Sequence, residues 1–538
     1  MDMSTDTFDY VIVGSGAAGA ILAARLGEDP ALRICVLEAG PRDWHPFLHL
    51  PAGFIKVVFN PSFSWPFSSE PSHWTGRRRI PLPQGRVLGG STSINGLIYN
   101  RGQPEDYDSW AARGNPGWAF AELLPYFMRS ERRIGAGDDL LRGRDGPLPV
   151  TDLDWRHPIC EAFVEGATEL GLPRNADYNG ATQAGVGYFQ RTIHRGRRMG
   201  TAPTFLAPAM RRGNIDLRTN AQATAIVLEG RRATGVRYQQ GSRAHEVHAR
   251  REVIVCAGAV NTPKLLQLSG IGPAALLQSL GVPVQHALAG VGENLKDHFS
   301  IRLVQRVKHA VTINELARAP RLWGQMARWL TGRPNVLALS PSLVHWFWHS
   351  RAGLPRPDLQ GVFTPASYRE GYVGMLDAYP GMTCGVWQHR PQSTGWVRAA
   401  SRAPFAAPLV QPNYLDHEDD RRVLLSGVRL ARQLLQTQAL SHYAAGETLP
   451  GATVQRDDEL LDFVRRYGVS SYHLNGTARM GPASDPQAVV DAQLRVHGLA
   501  GLRVADASVM PGIPSANTCA ASMMIGEKAA DLVRATPV

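Results

Sequence analysis

Three glycines in the pattern GxGxxG (Gly14, Gly16 and Gly19), followed by a carboxylate at Glu38, are the first residues whose spacing could do chemistry. That chemistry is the holding of a pyrophosphate and a ribose. The first glycine allows a tight bend, the second lets backbone approach the pyrophosphate, and the third permits close helix packing. Ser15, Ala17 and Ala18 complete the turn, and Ala39 follows the acid. The elements that must position them are legible in the same stretch. Tyr10–Val13 reads as a strand buried on both faces. A helix from about Ala17 to Leu26 directs its positive N-terminal end at the pyrophosphate, and a second strand, Ile34–Leu37, delivers Glu38. An acid there favours a free ribose hydroxyl over a 2′-phosphate, but the motif fits NAD and FAD equally. A second glycine turn, Gly89-Gly90-Ser91-Thr92, offers backbone N–H groups and small side chains suited to a phosphate or a ring edge.

Length and composition bound the remainder. At 538 residues the chain is expected to form two intimately packed domains. No apolar run reaches the roughly 18 residues that span a bilayer, so no transmembrane helix is expected. The polar, slightly acidic Met1–Asp9 segment lacks the pattern of a secretory signal. The five cysteines lack metal-ligand spacing, so no metal site is expected, and they suit reduced thiols of a cytoplasmic protein. The net charge of +11 comes in short clusters (Arg77–Arg79, Arg195–Arg198, Arg211–Arg212) rather than one stripe. That distribution argues for a basic enzyme surface or attraction of an anionic substrate, and against nucleic acid as a partner.

Three further segments decide between the two dinucleotides by resemblance. Gly85–Tyr99, Gly258–Gly272 and Gly290–His298 are similar, in order, to the first signature, the second signature and the following segment of the glucose–methanol–choline oxidoreductases. The resemblance runs from about Asp9 to Ala530. It implies a Rossmann-like FAD-binding domain joined to a discontinuous substrate domain on an antiparallel sheet, an α/β and α+β combination. The expected division gives residues 1–155, 201–300 and 466–538 to the FAD-binding part, and 156–200 and 301–465 to the substrate part. FAD contacts carried over by the resemblance fall on Arg86, Gly89, Gly90, Thr92, Asn95, Gly96, Ile98, Ala223, Cys256, Ala257, Gly258, Asp506, Ala507, Asn517 and Thr518. Some members attach FAD through a histidine where this chain has Ile94, so dissociable FAD is expected. Cys256 on its own reads as a small buried apolar residue.

The run Ser471–Gly481 resembles the family's active-site block and places His473 at its catalytic histidine. Alcohol oxidation needs a group that takes the hydroxyl proton while hydride leaves the carbinol carbon, and imidazole suits that task. The helix after Ser515 is expected to point its N-terminus at the flavin pyrimidine, where positive potential favours reduced flavin. The sequence departs from the family at the second catalytic position, usually asparagine or histidine, which falls on Cys519. A thiol is a poor partner for an alkoxide. Asn475, two residues after His473, is one replacement, as in the pyridoxine oxidases of the family; His473 acting alone is the other. Trp346, Phe347, Trp348 and Trp387 are pocket candidates within a variable substrate region, although each taken singly reads more simply as core.

The reading is an enzyme that oxidises an alcohol to a carbonyl compound, with oxygen or a quinone or carrier as acceptor. Oligomeric state stays open. The alternative is non-alcohol chemistry on the same fold, of hydroxynitrile lyase or photodecarboxylase type. His389, where the photodecarboxylases carry cysteine, counts against the latter.

Overall fold

The computed structural model describes residues 6–369 and 375–536. Its first sheet has seven strands, ordered Ile215–Arg218, Ile34–Leu37, Thr7–Val13, Arg243–Val255, Arg232–Gln240 and Ala221–Glu229, with Leu502–Val504 added against Arg243–Val255. Thr7–Val13 lies between two parallel neighbours and is buried from Phe8 onward, which is why its sequence is an unbroken apolar run. Arg243–Val255 does two jobs. Its first half pairs antiparallel with Arg232–Gln240, while His248–Val255 runs parallel to Thr7–Val13.

The first helix, Gly19–Leu26, begins two residues later than the sequence pattern suggests, because the glycine turn continues through Ala18. A Cβ at Gly19 would lie 2.0 Å from the Gly14 carbonyl oxygen, so that glycine is required by packing. The C-terminal helix, Cys519–Arg534, crosses close against it: a Cβ at Gly526 would sit 2.6 Å from the Ala18 oxygen. The fully buried Glu527 binds this pair together, accepting from Arg25 Nε at 2.8 Å, Arg129 Nε at 2.6 Å and Ser130 Oγ at 2.8 Å.

The second sheet is antiparallel, ordered Ala444–Leu449, Phe299–Val307, Gly381–Gln388, Leu359–Thr364, Val344–Trp348 and Gly185–Tyr188, with Val469–Ser470 paired to Phe299–Val307. Its strands alternate between two faces. Ile301, Leu303, Phe363, Cys384 and Val386 turn into an apolar core shared with the amphipathic helix Glu418–Leu435. Ser300, Arg302, Val362, Thr364, Thr383, Gly385 and Trp387 turn the other way, over the cavity described below. The two sheets draw on interleaved parts of the chain. Val469–Ser470, just beyond the expected boundary at 466, still belongs to the second sheet. No helix among the described residues is long and apolar enough to cross a membrane.

Candidate active site

A single large cavity runs from the glycine turn of the first sheet to the open face of the second. The dinucleotide end is built as the glycine spacing predicts. Gly14 has φ +101°, and a Cβ there would come within 2.4 Å of the Cys256 carbonyl oxygen; a Cβ on Gly90 would lie 2.7 Å from the Gly16 Cα. Both helices that end at this cavity, Gly19–Leu26 and Cys519–Arg534, start without a side-chain cap, so their N-terminal backbone donors are left for a ligand. Glu38 is buried, with one carboxylate oxygen accepting from Ser15 N and Oγ and the other from Gly40 N at 2.8 Å. Asp506 accepts from Gly258 N at 2.8 Å and Thr262 Oγ1 at 2.6 Å. This donor-rich, Cβ-free cradle fits the pyrophosphate and ribose of a dinucleotide.

Most residues singled out from the sequence meet here. Gly14, Gly16, Ala17, Ala18, Glu38, Ala39, Gly90, Thr92, Asn95, Gly96, Ile98, Ala223, Cys256, Ala257, Gly258, Asp506, Ala507, Asn517, Thr518, Cys519 and His473 all line the cavity. Five others do not. Ser15 is spent on Glu38, Gly19 on helix packing, and Gly89 on a left-handed turn with φ +87°. The Arg86 guanidinium lies 4.8 Å over the Trp65 ring, outside the lining. Asn475 is fully buried and directs its amide to the His473 and Lys296 carbonyl oxygens, so it does not face the cavity as a replacement for Cys519. The reason is local: Asn475 N and O pair with Lys296, and that bridge turns the side chain away. Of the aromatic candidates, Trp387 lines the cavity. Trp346 and Phe347 are fully buried on opposite faces of their strand, and Trp348 packs against the Trp346 side.

His473 is held from both ring nitrogens. His298 Nε2 lies 2.7 Å from the His389 carbonyl oxygen, which can only accept, so that nitrogen carries the proton and His298 Nδ1 is left as an acceptor. His473 Nδ1, 2.9 Å away, therefore donates to it, and His473 Nε2 keeps its lone pair. The Asn517 amide donates to this Nε2 at 3.0 Å, while its own oxygen accepts from Gln360 Nε2 at 3.2 Å. The resemblance places Asn517 among the FAD contacts; the fold also puts it beside His473, where a hydrogen-bonding partner is wanted. Asp297 fixes the backbone of the pair. This buried carboxylate accepts from His298 N and His473 N, both at 2.8 Å, from Ser470 Oγ at 2.5 Å and from the Tyr414 hydroxyl. Between Ser470 and His473, Tyr472 has φ +63°, a costly conformation for a bulky residue, held by the Tyr472 N to Ser470 Oγ bond at 2.8 Å.

On the far side of Asn95, Arg198 Nη1 donates to Asn95 Oδ1 at 2.9 Å, and Asn95 Nδ2 points to Cys519 Sγ at 3.5 Å. Burial pushes the Cys519 thiol up to about 11, so it stays protonated. Asp297, His298, Gln360 and Arg198 were not assigned from the sequence. Asp297 and His298 lie within a segment whose resemblance is visible; Gln360 carries no local signal.

Burial drives the His473 pKa well below the usual histidine range and that of His298 down to about 4; His345 falls to about 3 and His389 lies well below its ordinary value. These groups are neutral in the fold and protonate near 6.5 when unfolded. The unfolded state therefore takes up more protons as pH falls from 6.5 toward 4, and stability falls with it. Burial also raises Asp297, to about 6, together with Glu38, Asp106 and Asp506, and these carboxylates have the opposite sign; His157 and His194, likewise lowered by burial, bring the histidines to six. The melting temperature is expected to drop progressively between pH 6.5 and 4.5. Over pH 6–8 the rate of flavin reduction should show no loss from protonation of His473; a decline centred near 6.5 would contradict its depressed pKa.

With this geometry in view, the comparisons with known proteins are consistent. The family models for GMC oxidoreductases match residues 8–300 and 391–526. The chain belongs to the GMC oxidoreductases, FAD-dependent enzymes that act on the CH–OH group of alcohols. Within that family it is similar to the oxygen-dependent choline dehydrogenases of Brucella anthropi, with 41% identity over 97% of this chain and 95% of that one, and of Staphylococcus aureus, with 39% identity over 99% and 94%. Among solved structures it is similar to pyridoxine 4-oxidase from Mesorbium loti (TM-score 0.89, 29% identity, 99% and 100% of the chains covered). A fungal aryl-alcohol oxidase matches at TM-score 0.85 and 25% identity, with 98% and 99% covered.

Proposed function

We propose that this protein oxidises an alcohol to an aldehyde or ketone, with His473 as general base and FAD held without a covalent link. The observation that carries the reading is the fixed tautomer of His473, an unprotonated Nε2 on the cavity wall backed by an Nδ1 proton already committed to His298. Bound FAD supplies the acceptor for the hydride. The remaining work falls to side chains. The substrate hydroxyl takes the place of the Asn517 N–H and donates to Nε2. The proton passes there, and the charge gained is shared through the Nδ1–H bond with His298. Asn517, oriented by Gln360, then has an N–H available for the developing alkoxide. Ile94 lines the cavity and offers no atom for attachment, which supports dissociable FAD.

Oxygen as acceptor is supported by the names of the relatives; a quinone or carrier is the other choice. Five free cysteines suit the cytoplasm. The test is anaerobic addition of alcohols to the purified holoenzyme. Bleaching of the visible flavin band is expected, with recovery in air marking an oxidase and slow recovery marking a dehydrogenase. A flavin that no alcohol bleaches would overturn the proposal and favour lyase-type chemistry.

A further inference from the structure

The substrate end of the cavity has an unusual charge inventory. Two carboxylates line the cavity among the described residues, Glu38 and Asp506, and both belong to the dinucleotide end, where backbone and hydroxyl donors already engage them. Lys264 is also at that end, and its ammonium donates to the Pro404 carbonyl oxygen at 2.8 Å. Arg302 stands alone at the other end. It projects from strand Phe299–Val307 on the cavity face, and among the described residues no carboxylate forms an ion pair with it and no acceptor takes a hydrogen bond from it. The Tyr368 ring lies 5.6 Å from the guanidinium carbon, with its hydroxyl spent on the Pro341 carbonyl oxygen, and Tyr472 is a second phenol near the cation. Opposite Arg302 across the strand pair is Gly385, where a Cβ would lie 2.9 Å from Val362 Cγ2 and 3.6 Å from Arg302 Cγ, so the side chain beside the arginine stem there is an apolar valine that offers it no acceptor.

A partly desolvated guanidinium whose five donors meet no acceptor among the described residues is costly unless something in the cavity pairs with it. Burial lowers its pKa, yet an arginine remains charged at any working pH. Its position relative to the base is set by register. Ser300 pairs with Trp387, whose ring centre lies 6.1 Å from that of His473, and Arg302 is two residues, roughly 7 Å, further along the strand. The cation and the proton acceptor thus face one cavity.

We propose that Arg302 is a specificity determinant that binds a carboxylate on the substrate, so that the alcohol oxidised is an anionic hydroxy acid and not a cationic alcohol of the choline kind. This rests on the alcohol-oxidation reading above. In the reaction the carbinol C–H bond breaks and its electron pair leaves as hydride to the flavin. The hydroxyl proton goes to His473 Nε2, and the carboxylate stays unchanged on Arg302. A trimethylammonium group in the same place would meet a fixed positive charge with no carboxylate among the described residues to offset it. The names of the relatives point to choline; the charge at Arg302 points away from it.

The test uses holoenzyme with three alcohols: 4-(hydroxymethyl)benzoate, its neutral counterpart benzyl alcohol, and choline. Unreactive benzoate serves as a binding reporter through the visible flavin spectrum. Benzoate is expected to shift the spectrum saturably. The carboxylate alcohol should reduce the flavin with a kcat/KM about 10- to 100-fold above benzyl alcohol, the range for a charge-assisted pair. Arg302→Met should lose the benzoate shift and the preference for the anion, and Arg302→Lys should keep part of both, with retention of FAD confirming that each variant folds. Equal or better reduction by choline or benzyl alcohol, with no benzoate shift, overturns the carboxylate site while leaving alcohol oxidation standing. A benzoate shift that depends on Arg302, with no alcohol able to bleach the flavin, supports the anion site and overturns alcohol oxidation instead.

Discussion

His473→Ala is expected to fold, retain FAD and lose at least about 10²-fold in the rate of anaerobic flavin reduction, the lower end of what a positioned general base contributes. The cavity side of His473 touches Asn517 and the edge of Trp387, and neither holds the backbone in place. Backbone position comes from the His473 N to Asp297 bond, which alanine keeps. The loss should therefore appear in the chemical step and not in cofactor content. Stopped-flow reduction with any accepted alcohol measures it. A variant that reduces its flavin at close to the parent rate would place the base elsewhere and dissolve the argument from the fixed tautomer.

Asp297→Ala is expected to cost about 4 kcal/mol of stability and to impair reduction in whatever folded protein survives. Four donors converge on this carboxylate: two backbone N–H groups, Ser470 Oγ and the Tyr414 hydroxyl. Each buried donor left unsatisfied costs about 1–3 kcal/mol, and relaxation or entering water recovers part of the sum. The same removal frees Tyr472, whose left-handed backbone depends on Ser470 being in place. Asp297→Asn separates the effects. An amide keeps one acceptor oxygen but presents an NH₂ to a site made of donors, so it should recover less than half of the loss. Thermal denaturation of both variants, with flavin reduction at low temperature, checks this. A melting temperature within a few degrees of the parent for Asp297→Ala would show that the carboxylate does not organise the site.

The linear sequence determined the dinucleotide end of this protein nearly alone. Gly14, Gly16 and Gly19 are needed within one short turn because backbone, helix and ligand crowd into it, and such local sterics leave a local trace. The unbroken apolar run Tyr10–Val13 declares a strand flanked on both sides, and the identity of His473 follows from a contiguous block of residues. Tertiary structure decided which partner that histidine has. Asn475 is two residues away in the chain and looked available, but its backbone pairing with Lys296 turns it inward. Asn517 lies 44 positions from His473 and reaches its Nε2 only because the C-terminal helix packs across the first helix at Gly526. The tautomer is likewise a tertiary property, passed from the His389 carbonyl through His298. Arg302 shows the same limit for the substrate end. In the sequence it is one arginine in a largely buried strand, and only the pairing of that strand with its neighbour shows that no carboxylate among the described residues meets it in the cavity. Local geometry is written in local spacing, whereas charge balance inside a cavity depends on every wall that closes it, and those walls come from distant parts of the chain.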